Sequence, residues 1–266
     1  MYEITAPRAR NVIADLAAFG RHHFTSSELR SALGVSKAAV RQTLSRLAAK
    51  GEIASPARGF YVIVPPEYRR LGCLPADQFI PLLMEHWDIP YYVGLLSAAQ
   101  LHGAAHHRPQ EFQVVVERNR PAIVCGDVRV AFVARRNLDA VPVERFNNPR
   151  GTVLVSTVEA TAVDLVGYLR RAGGVDRVAG VIYELSEDMG PERLVEASKS
   201  ASILWAQRLG YLLERVGAGD RAILLKEHVR RRARNYTKLL PGADATDAPR
   251  SKDWRLFVNA SIEADA

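Results

Sequence analysis

One segment of the sequence carries side chains that can read the edges of DNA base pairs. Between positions 37 and 49, the apolar residues Val40, Leu44 and Leu47 recur at helical spacing, so they must face a protein core. The opposite face then presents Lys37, Ala38, Arg41, Gln42 and Ser45. Arginine can bond guanine, glutamine can bond adenine, serine adapts to either base, and an alanine methyl meets the thymine methyl. The spacing therefore predicts a helix whose exposed face fits a DNA major groove.

Capping signals predict where this helix and its neighbours begin and end. Apolar residues at helical spacing predict a first helix over 11–19. Thr25 and Glu28 have the spacing of a capping box, which starts a short second helix that Gly34 closes. Ser36 is the predicted N-cap of the third helix and places its N-terminus where a phosphate could bind. This order of helices and turn is the pattern of a helix-turn-helix.

A β-hairpin is predicted directly after the third helix. Two short runs, 52–55 and 60–64, flank a turn that contains Pro56 and Gly59. A hairpin in this place is the wing of a winged helix, and Arg58 at its tip could reach a phosphate or the minor groove. The alternative is a winged helix that serves only protein contact, since trios of helices also occur in interaction domains.

Positive charge is concentrated in two parts of the chain. The 266 residues carry a net charge of +7, and residues 1–70 hold 11 Lys and Arg against 5 Asp and Glu. Residues 226–240 hold 6 against 1. On a helix, Lys226, Arg230 and Arg234 would form one stripe with Arg231 beside it. The clustering indicates a polyanionic partner, although this second basic patch could equally be a solvated face that nearby acids neutralise.

The remainder of the chain predicts an α+β fold. Helices over 77–87 and 95–105 and strands over 111–117, 122–125, 128–134 and 152–155 predict a small mixed α/β unit over about 75–155. Gly126 and Asp127 predict a hairpin between two of these strands. A second capping box at Ser156 and Glu159 opens a helical part over about 156–240, whose last helix reaches about 234 and which we expect to pack as a bundle. The predicted domains are a winged helix-turn-helix over 1–70 and a C-terminal domain over 75–266.

No arrangement of residues in the sequence predicts catalysis. His102 and His106 have metal-binding spacing on a helix, but no acidic partner accompanies them, so His102 is expected to pack or cap instead. Asp164 is one of several carboxylates that the sequence does not bring together. The pair at 173–174 lacks the following Lys and Ser or Thr of a phosphate-binding loop. We expect no catalytic residue, no cofactor and no metal site. An enzyme acting on nucleic acid is the least favoured alternative.

The spacing of the cysteines and the lack of long apolar segments indicate in which cellular compartment the protein lies. Cys73 and Cys125 are far apart in sequence and form no CxxC pair, which excludes a disulfide framework and a zinc ribbon. The N-terminal residues contain no apolar run, and no stretch of about 18 uncharged apolar residues occurs. We therefore expect a cytoplasmic protein with no signal peptide and no membrane partner.

Several longer motifs follow one another in a fairly specific order. They are TSSELRSALGVSKAAVRQTLSRLAAKGEI with RGFYVI, then YYVGLLSAAQLHGAAHHRP, then STVEATAVDLVGY, then WAQRLGYLLERVG, and finally LLPG and WRLFVN. Taken together, they resemble the AbiEi antitoxins of type IV toxin–antitoxin systems, which act in abortive phage infection. The similarity covers about the whole chain.

The resemblance implies an antitoxin that represses its own operon. Its N-terminal winged helix would bind inverted repeats in its own promoter, with Lys37, Ala38, Arg41, Gln42 and Arg58 as contacts. Its C-terminal part would counteract a nucleotidyltransferase-type toxin without requiring a stable complex. The family supplies no catalytic residues. The alternative from another class is an interaction module in which residues 156–240 bind the toxin directly.

Overall fold

A computed structural model describes residues 8–104 and 109–262. The chain divides into two compact units. The first consists of the residues up to 91 together with 110–134 and 145–153, and the second of 92–109, 135–144 and the residues from 154 onward. The predicted boundary of a DNA-binding domain at residue 70 stays a prediction, because compactness alone does not identify what a unit binds.

The described residues form a mixed α/β fold. The helices are α1 (Ala9–Ala18), α2 (Ser26–Leu33), α3 (Lys37–Ala49), α4 (Ala76–Trp87), α5 (Leu95–Leu101), α6 (Val158–Gly167), α7 (Val175–Ser186), α8 (Pro191–Lys199), α9 (Ile203–Arg215) and α10 (Ile223–Arg232). The strands are β1 (His23–Thr25), β2 (Ile53–Ala57), β3 (Phe60–Ile63), β4 (Tyr91–Val93), β5 (Phe112–Val116), β6 (Ile123–Cys125), β7 (Val128–Ala134), β8 (Val143–Asn148), β9 (Gly151–Ser156), β10 (Thr237–Lys238), β11 (Arg250–Ser251) and β12 (Leu256–Phe257). None of these helices is long and apolar enough to cross a membrane.

Helices α2 and α3 begin at the capping residues that the sequence predicts, whereas α1 begins at Ala9, two residues before its predicted start, with no side-chain cap. The Thr25 hydroxyl accepts from the Glu28 amide at 3.1 Å, and the Glu28 carboxylate accepts from the Thr25 amide at 2.7 Å. Gly34 closes α2 with a left-handed φ of 65°. The Ser36 hydroxyl accepts from the Ala39 amide at 3.3 Å and caps α3. The predicted caps of α2 and α3 are confirmed.

A three-stranded sheet follows α3, with the order β1-β3-β2. The strands β2 and β3 are the predicted hairpin, in which Ile53 pairs with Ile63. Strand β1 is antiparallel to β3, with Phe24 opposite Tyr61. The sequence did not predict β1, because three residues are too few to show an alternating pattern.

The hairpin belongs to two hydrophobic cores of the first unit. Successive side chains of a strand point to opposite faces. On one face, Ile63 and the partly buried Tyr61 pack with α1, α2 and α3. On the other face, Phe60 and Val62 are fully buried against α4 and the strands β5, β6 and β7. The hairpin is therefore held between two layers of side chains.

Within the first unit, β5, β6 and β7 are neighbours in the order β6-β7-β5. The strands β5 and β7 are parallel, with Phe112 opposite Val130. The strands β6 and β7 are antiparallel, with Cys125 opposite Val128 across the Gly126–Asp127 turn, which confirms the predicted hairpin.

Helix α6 lies at the centre of the second unit. Every residue from Glu159 to Val166 is buried, and α6 packs against α5, α7, α8 and α9. Parallel pairing joins β4 to β9 at Val93 and Val155. Near the C-terminus, β12 pairs in parallel with β10 and antiparallel with β11.

The predicted capping box at Ser156 and Glu159 is wrong. Thr157 is the N-cap of α6, and its hydroxyl accepts from the Ala160 amide at 3.3 Å. The Ser156 hydroxyl instead lies 2.7 Å from the Thr161 hydroxyl in the core. The Glu159 carboxylate accepts from the Gly190 amide at 2.9 Å, at the N-terminus of another helix. The cap of α6 is therefore supplied one residue later than predicted, and the Glu159 carboxylate binds a tertiary partner instead of the cap.

Two helices end earlier than predicted. Helix α5 stops at Leu101 because Gly103 adopts a left-handed φ of 85° and the Ala104 amide donates to the Ala99 carbonyl at 2.8 Å. The run VEATAVDLVGYLRRA predicts a helix that Gly173 and Gly174 end, but α6 ends at Gly167. At Gly167 the Trp205 ring lies within 2.5 Å of where a Cβ would be, so only glycine admits this contact.

Candidate nucleic-acid interface

Helix α3 exposes the face that the sequence predicts. Val40, Leu44 and Leu47 are only 3%, 4% and 5% exposed and anchor the helix in the core. The predicted base-reading set is exposed along its whole length: Ser36, Lys37, Ala38, Arg41, Gln42 and Ser45. Nothing in the described part of the chain covers these side chains, so they are available to a partner.

The cations of this face are not neutralised within the described residues. Neither Lys37 nor Arg41 forms an ion pair there. The nearby acids are occupied elsewhere, since Glu52 pairs with Arg10 and Glu28 pairs with Arg21. The positive charge of α3 is therefore left for an external anion.

The hairpin turn presents one exposed arginine. Gly59 adopts a left-handed φ of 81°, which lets the chain reverse between β2 and β3. The Ser55 hydroxyl donates to the carbonyl oxygens of Ala57 and Phe60 at 2.9 and 3.1 Å and fixes the turn. Arg58 lies at the tip and is exposed. A guanidinium on a turn held in this way suits a phosphate contact.

Acidic side chains of the same unit neutralise part of the second basic patch. The Lys226 ammonium lies 2.7 Å from Asp253 and 3.0 Å from Glu214. These two hydrogen bonds raise the pKa of Lys226. Arg230 and Arg231 lie 3.8 and 2.5 Å from the carboxylate of Glu227. Within this second basic patch, the charge of Lys226 is therefore largely neutralised by Asp253 and Glu214.

The helical stripe predicted from Lys226 through Arg230 to Arg234 is wrong, because α10 ends at Arg232. Ala233 takes an extended conformation, with φ −73° and ψ 129°. The Arg255 guanidinium donates to the Ala233 carbonyl, and Gln207 donates to the Asn235 carbonyl at 3.1 Å. These bonds hold the chain in an extended path, so Arg234 leaves the helix.

An open groove of about 750 Å³ lies between α8, the start of α9 and α10. Its lining combines apolar side chains such as Val195, Ile203 and Leu224 with the basic residues Lys199, His228, Arg231 and Arg232. Burial lowers the pKa of His228, and the positive charges of Arg232 and Lys199 lower it further. The groove therefore offers apolar side chains beside more basic than acidic ones, since Glu192 and Glu227 also line it.

A buried ion pair, which sequence reasoning missed, holds the centre of the second unit. Arg135 Nε lies 3.1 Å from a carboxylate oxygen of Asp164, and the Tyr92 hydroxyl donates to the other oxygen at 2.6 Å. Burial raises the pKa of Asp164 to about 6, against the opposing effects of Arg135 and Tyr92. Arg135 also donates to the Ser200 hydroxyl at 3.1 Å. No local motif marks Arg135, since its partners come from distant parts of the chain.

His102 takes the packing role expected of it. Its Nε2 atom lies 2.7 Å from the Ser156 carbonyl oxygen. His106 and His107 lie outside the described residues, so the metal-binding spacing is not visible. Over 8–104 and 109–262, no three His, Cys, Asp or Glu side chains are grouped to hold a metal ion.

Comparison with known proteins gives two family matches. Residues 92–215 match the AbiEi antitoxin C-terminal domain, and residues 11–64 match the family described as a transcriptional regulator, AbiEi antitoxin. No curated protein sequence matches the chain significantly. The second basic patch lies beyond both matched ranges.

A solved structure shares the fold. The crystal structure of the RV2827C protein from Mycobacterium tuberculosis has a TM-score of 0.63 and 17% sequence identity, and the alignment covers 96% of this chain and 94% of that one. At this identity the likeness concerns the fold alone.

Proposed function

The chain belongs to the AbiEi antitoxin family, and we propose that residues 1–70 form a winged helix-turn-helix that binds double-stranded DNA. One observation carries this proposal: α3 exposes an unneutralised cationic face while its apolar face is anchored in the core. The transcriptional-regulator match over 11–64 supports it, because it covers α1, α2, α3 and the hairpin.

Each residue of the predicted base-reading set has a role in this proposal. Arg41 bonds a guanine, Gln42 bonds an adenine, and Ala38 contacts a thymine methyl. Lys37 and the α3 N-terminus at Ser36 hold a phosphate, while Ser45 bonds a base edge or a phosphate further along the groove. Arg58, at the tip of the hairpin, binds a phosphate of the DNA backbone.

The biological role that we propose is negative autoregulation of a toxin–antitoxin operon in the cytoplasm. Two molecules bind inverted repeats in their own promoter, and the C-terminal domain counteracts a nucleotidyltransferase-type toxin. No catalytic residue, cofactor or metal takes part in this role. The AbiEi C-terminal match over 92–215 supports the antitoxin half of the proposal.

Binding to the DNA upstream of the chain's own gene tests the proposal. In a fluorescence anisotropy titration, Arg41→Ala should weaken binding to the native site by about 5- to 150-fold, since a base-directed bond contributes about 1–3 kcal/mol. Binding to unrelated DNA should change much less. Arg215→Ala, which removes an exposed arginine of α9, is the matched control and should leave specific binding unchanged. Equal affinities of wild type and Arg41→Ala for the native site would contradict the proposal.

Salt dependence separates phosphate contacts from base contacts. Arg58→Ala should weaken binding to specific and unrelated DNA alike and reduce the log–log salt slope by about 0.9, the value for one phosphate. Gln42→Ala, which removes no charge, should lower specific affinity and leave the slope unchanged. If both variants changed the slope equally, the roles assigned to hairpin and helix would be wrong.

A second candidate function is direct toxin binding, and the groove between α8 and α10 favours it. Its apolar and basic side chains suit an amphipathic acidic segment of the toxin. Leu224 lies in the groove, whereas its neighbour Ile223 is 63% exposed outside it. In co-purification of the two proteins, Leu224→Asp should abolish a 1:1 complex and Ile223→Asp should not. Absence of any complex with the wild type, together with intact neutralisation of the toxin, would reject direct binding.

A further inference from the structure

Two segments of the first unit lie in close contact: the turn residues that follow the hairpin and the turn between β6 and β7. The Asp127 amide donates to the Leu71 carbonyl at 2.8 Å. A Cβ at Gly126 would lie 2.2 Å from the Leu71 carbonyl oxygen, and a Cβ at Gly72 would lie 3.0 Å from the Gly126 Cα. Residues 71 and 72 therefore contact residues 126 and 127. Cys73 and Cys125 are the next residues along the two segments, and both are buried in the same hydrophobic cluster.

The two thiols contact each other. The Cys73 thiol hydrogen-bonds to Cys125, which raises the pKa of Cys73 and lowers the pKa of Cys125. The Ser55 amide of β2 also hydrogen-bonds to the Cys125 sulfur. Two thiols in contact are close enough for an S–S bond to form with a small movement of the side chains.

We propose that Cys73 and Cys125 are an oxidisable thiol pair that closes to an intramolecular disulfide when the protein meets a small hydroperoxide. The bond would tie the segment after the hairpin to the β6–β7 turn. Cys73 is 0% exposed and Cys125 is 6% exposed, so only a small oxidant reaches the pair and Cys125 meets it first. In a reducing compartment, such a bond is transient and serves redox sensing. The proposal does not depend on DNA binding.

The reaction balances with hydrogen peroxide as the sole oxidant. The Cys125 thiolate attacks one peroxide oxygen, the O–O bond breaks, and the hydroxide that leaves takes up a proton to become water. The Cys125 sulfenic acid is then attacked by the Cys73 sulfur, the S–S bond forms, and the second oxygen leaves as water with the Cys73 proton. The two thiols together lose two electrons and two protons, and peroxide becomes two waters.

Peptide mapping of the full-length folded protein tests the proposal. After treatment with hydrogen peroxide and digestion without reductant, the peptides that contain Cys73 and Cys125 should appear joined, with a mass two hydrogens below their sum. The free thiol count should fall from two to zero and return to two with dithiothreitol. Retention of both thiols, a disulfide only between molecules, or separate sulfinic acids would each overturn the proposal.

Two single variants and a melting curve add a readout of structure. In Cys73→Ser, Cys125 should be trapped as a sulfenic acid by dimedone, whereas in Cys125→Ser the buried Cys73 should not react. Oxidation should raise the Tm of the wild type by several degrees, since the cross-link closes a loop of about 50 residues. The Tm of both variants should be unaffected by peroxide. A rise in either variant, or none in the cross-linked wild type, would contradict the proposed geometry.

Discussion

Single titratable residues, one buried and two partly buried, give the two units opposite responses to pH. Burial raises the pKa of Asp164 in the second unit, so its neutral form is favoured in the folded state. Burial lowers the pKa of His22 and His23 in the first unit, with Arg150 and Arg21 adding to the effect. In both cases the low-polarity surroundings disfavour the charged form. Because one group is an acid and the others are bases, stability shifts in opposite directions with pH.

For Asp164, stability should fall as pH rises from about 4 to about 6. The folded state binds the proton more tightly than the unfolded chain, whose aspartate pKa is 3.8, so raising the pH through this window favours unfolding. The effect amounts to about 3 kcal/mol for a shift of about two pKa units. Asp164→Asn should remove this slope from the free energy of unfolding measured by urea titration, and the exposed Asp139→Asn should keep it. If the free energy of unfolding of Asp164→Asn kept the same dependence on pH, a group other than Asp164 would be the one that takes up the proton.

For His23, stability should fall as pH drops below about 6.5. The unfolded chain takes up a proton there, while the folded state, with its lowered pKa, resists it. The His23 ring stacks on Phe60 with centroids 5.6 Å apart, so His23→Phe preserves the ring contact and removes the titration. The difference in Tm between pH 7 and pH 5 should shrink in this variant. A difference equal to that of the wild type would show that His23 does not contribute.

At the scale of elements, the sequence predicted what local contacts determine. The caps at Thr25 and Ser36 involve residues three positions apart, and the buried stripe at Val40, Leu44 and Leu47 follows from helical geometry alone. The exposed face of α3 was therefore predictable. The ion pair of Arg135 and Asp164 and the short strands β1 and β4 were not, because their partners are distant in sequence.

The helical glycines show the same dependence on tertiary contacts. A Cβ at Gly210 in α9 would lie 2.0 Å from the Trp254 ring, which is fully buried, whereas a Cβ at Gly180 in α7 meets nothing within 4 Å. Gly210→Ala should therefore destabilise the fold by about 1–3 kcal/mol through overpacking. Gly180→Ala should stabilise it by about 0.5–1 kcal/mol through helix propensity. Urea titrations that gave both variants the same sign would contradict this account of Gly210.

At the scale of the whole molecule, each compact unit is built from separate stretches of the sequence. The first unit draws on three separate stretches of sequence, and the second unit takes up the stretches between them. The hairpin that follows α3 is shared by two cores, one of which is completed by α4 and by strands more than forty residues away in sequence. The predicted winged helix-turn-helix over 1–70 contains the first core in full and only one side of the second.

A fragment of residues 1–70 should consequently be less stable than the same residues in the full chain. It would expose Phe60, Val62 and Val64, which are 0–3% exposed in the intact unit, and each such side chain contributes roughly 1.5–3 kcal/mol when buried. We expect the fragment to melt at a lower temperature with reduced cooperativity and to bind promoter DNA more weakly than the full chain. Phe60→Ser together with Val62→Thr in the fragment should improve its solubility, because these side chains no longer have a core to fill. A fragment that melts and binds like the full chain would mean that the hairpin needs only its first core, and that residue 70 is a true domain boundary.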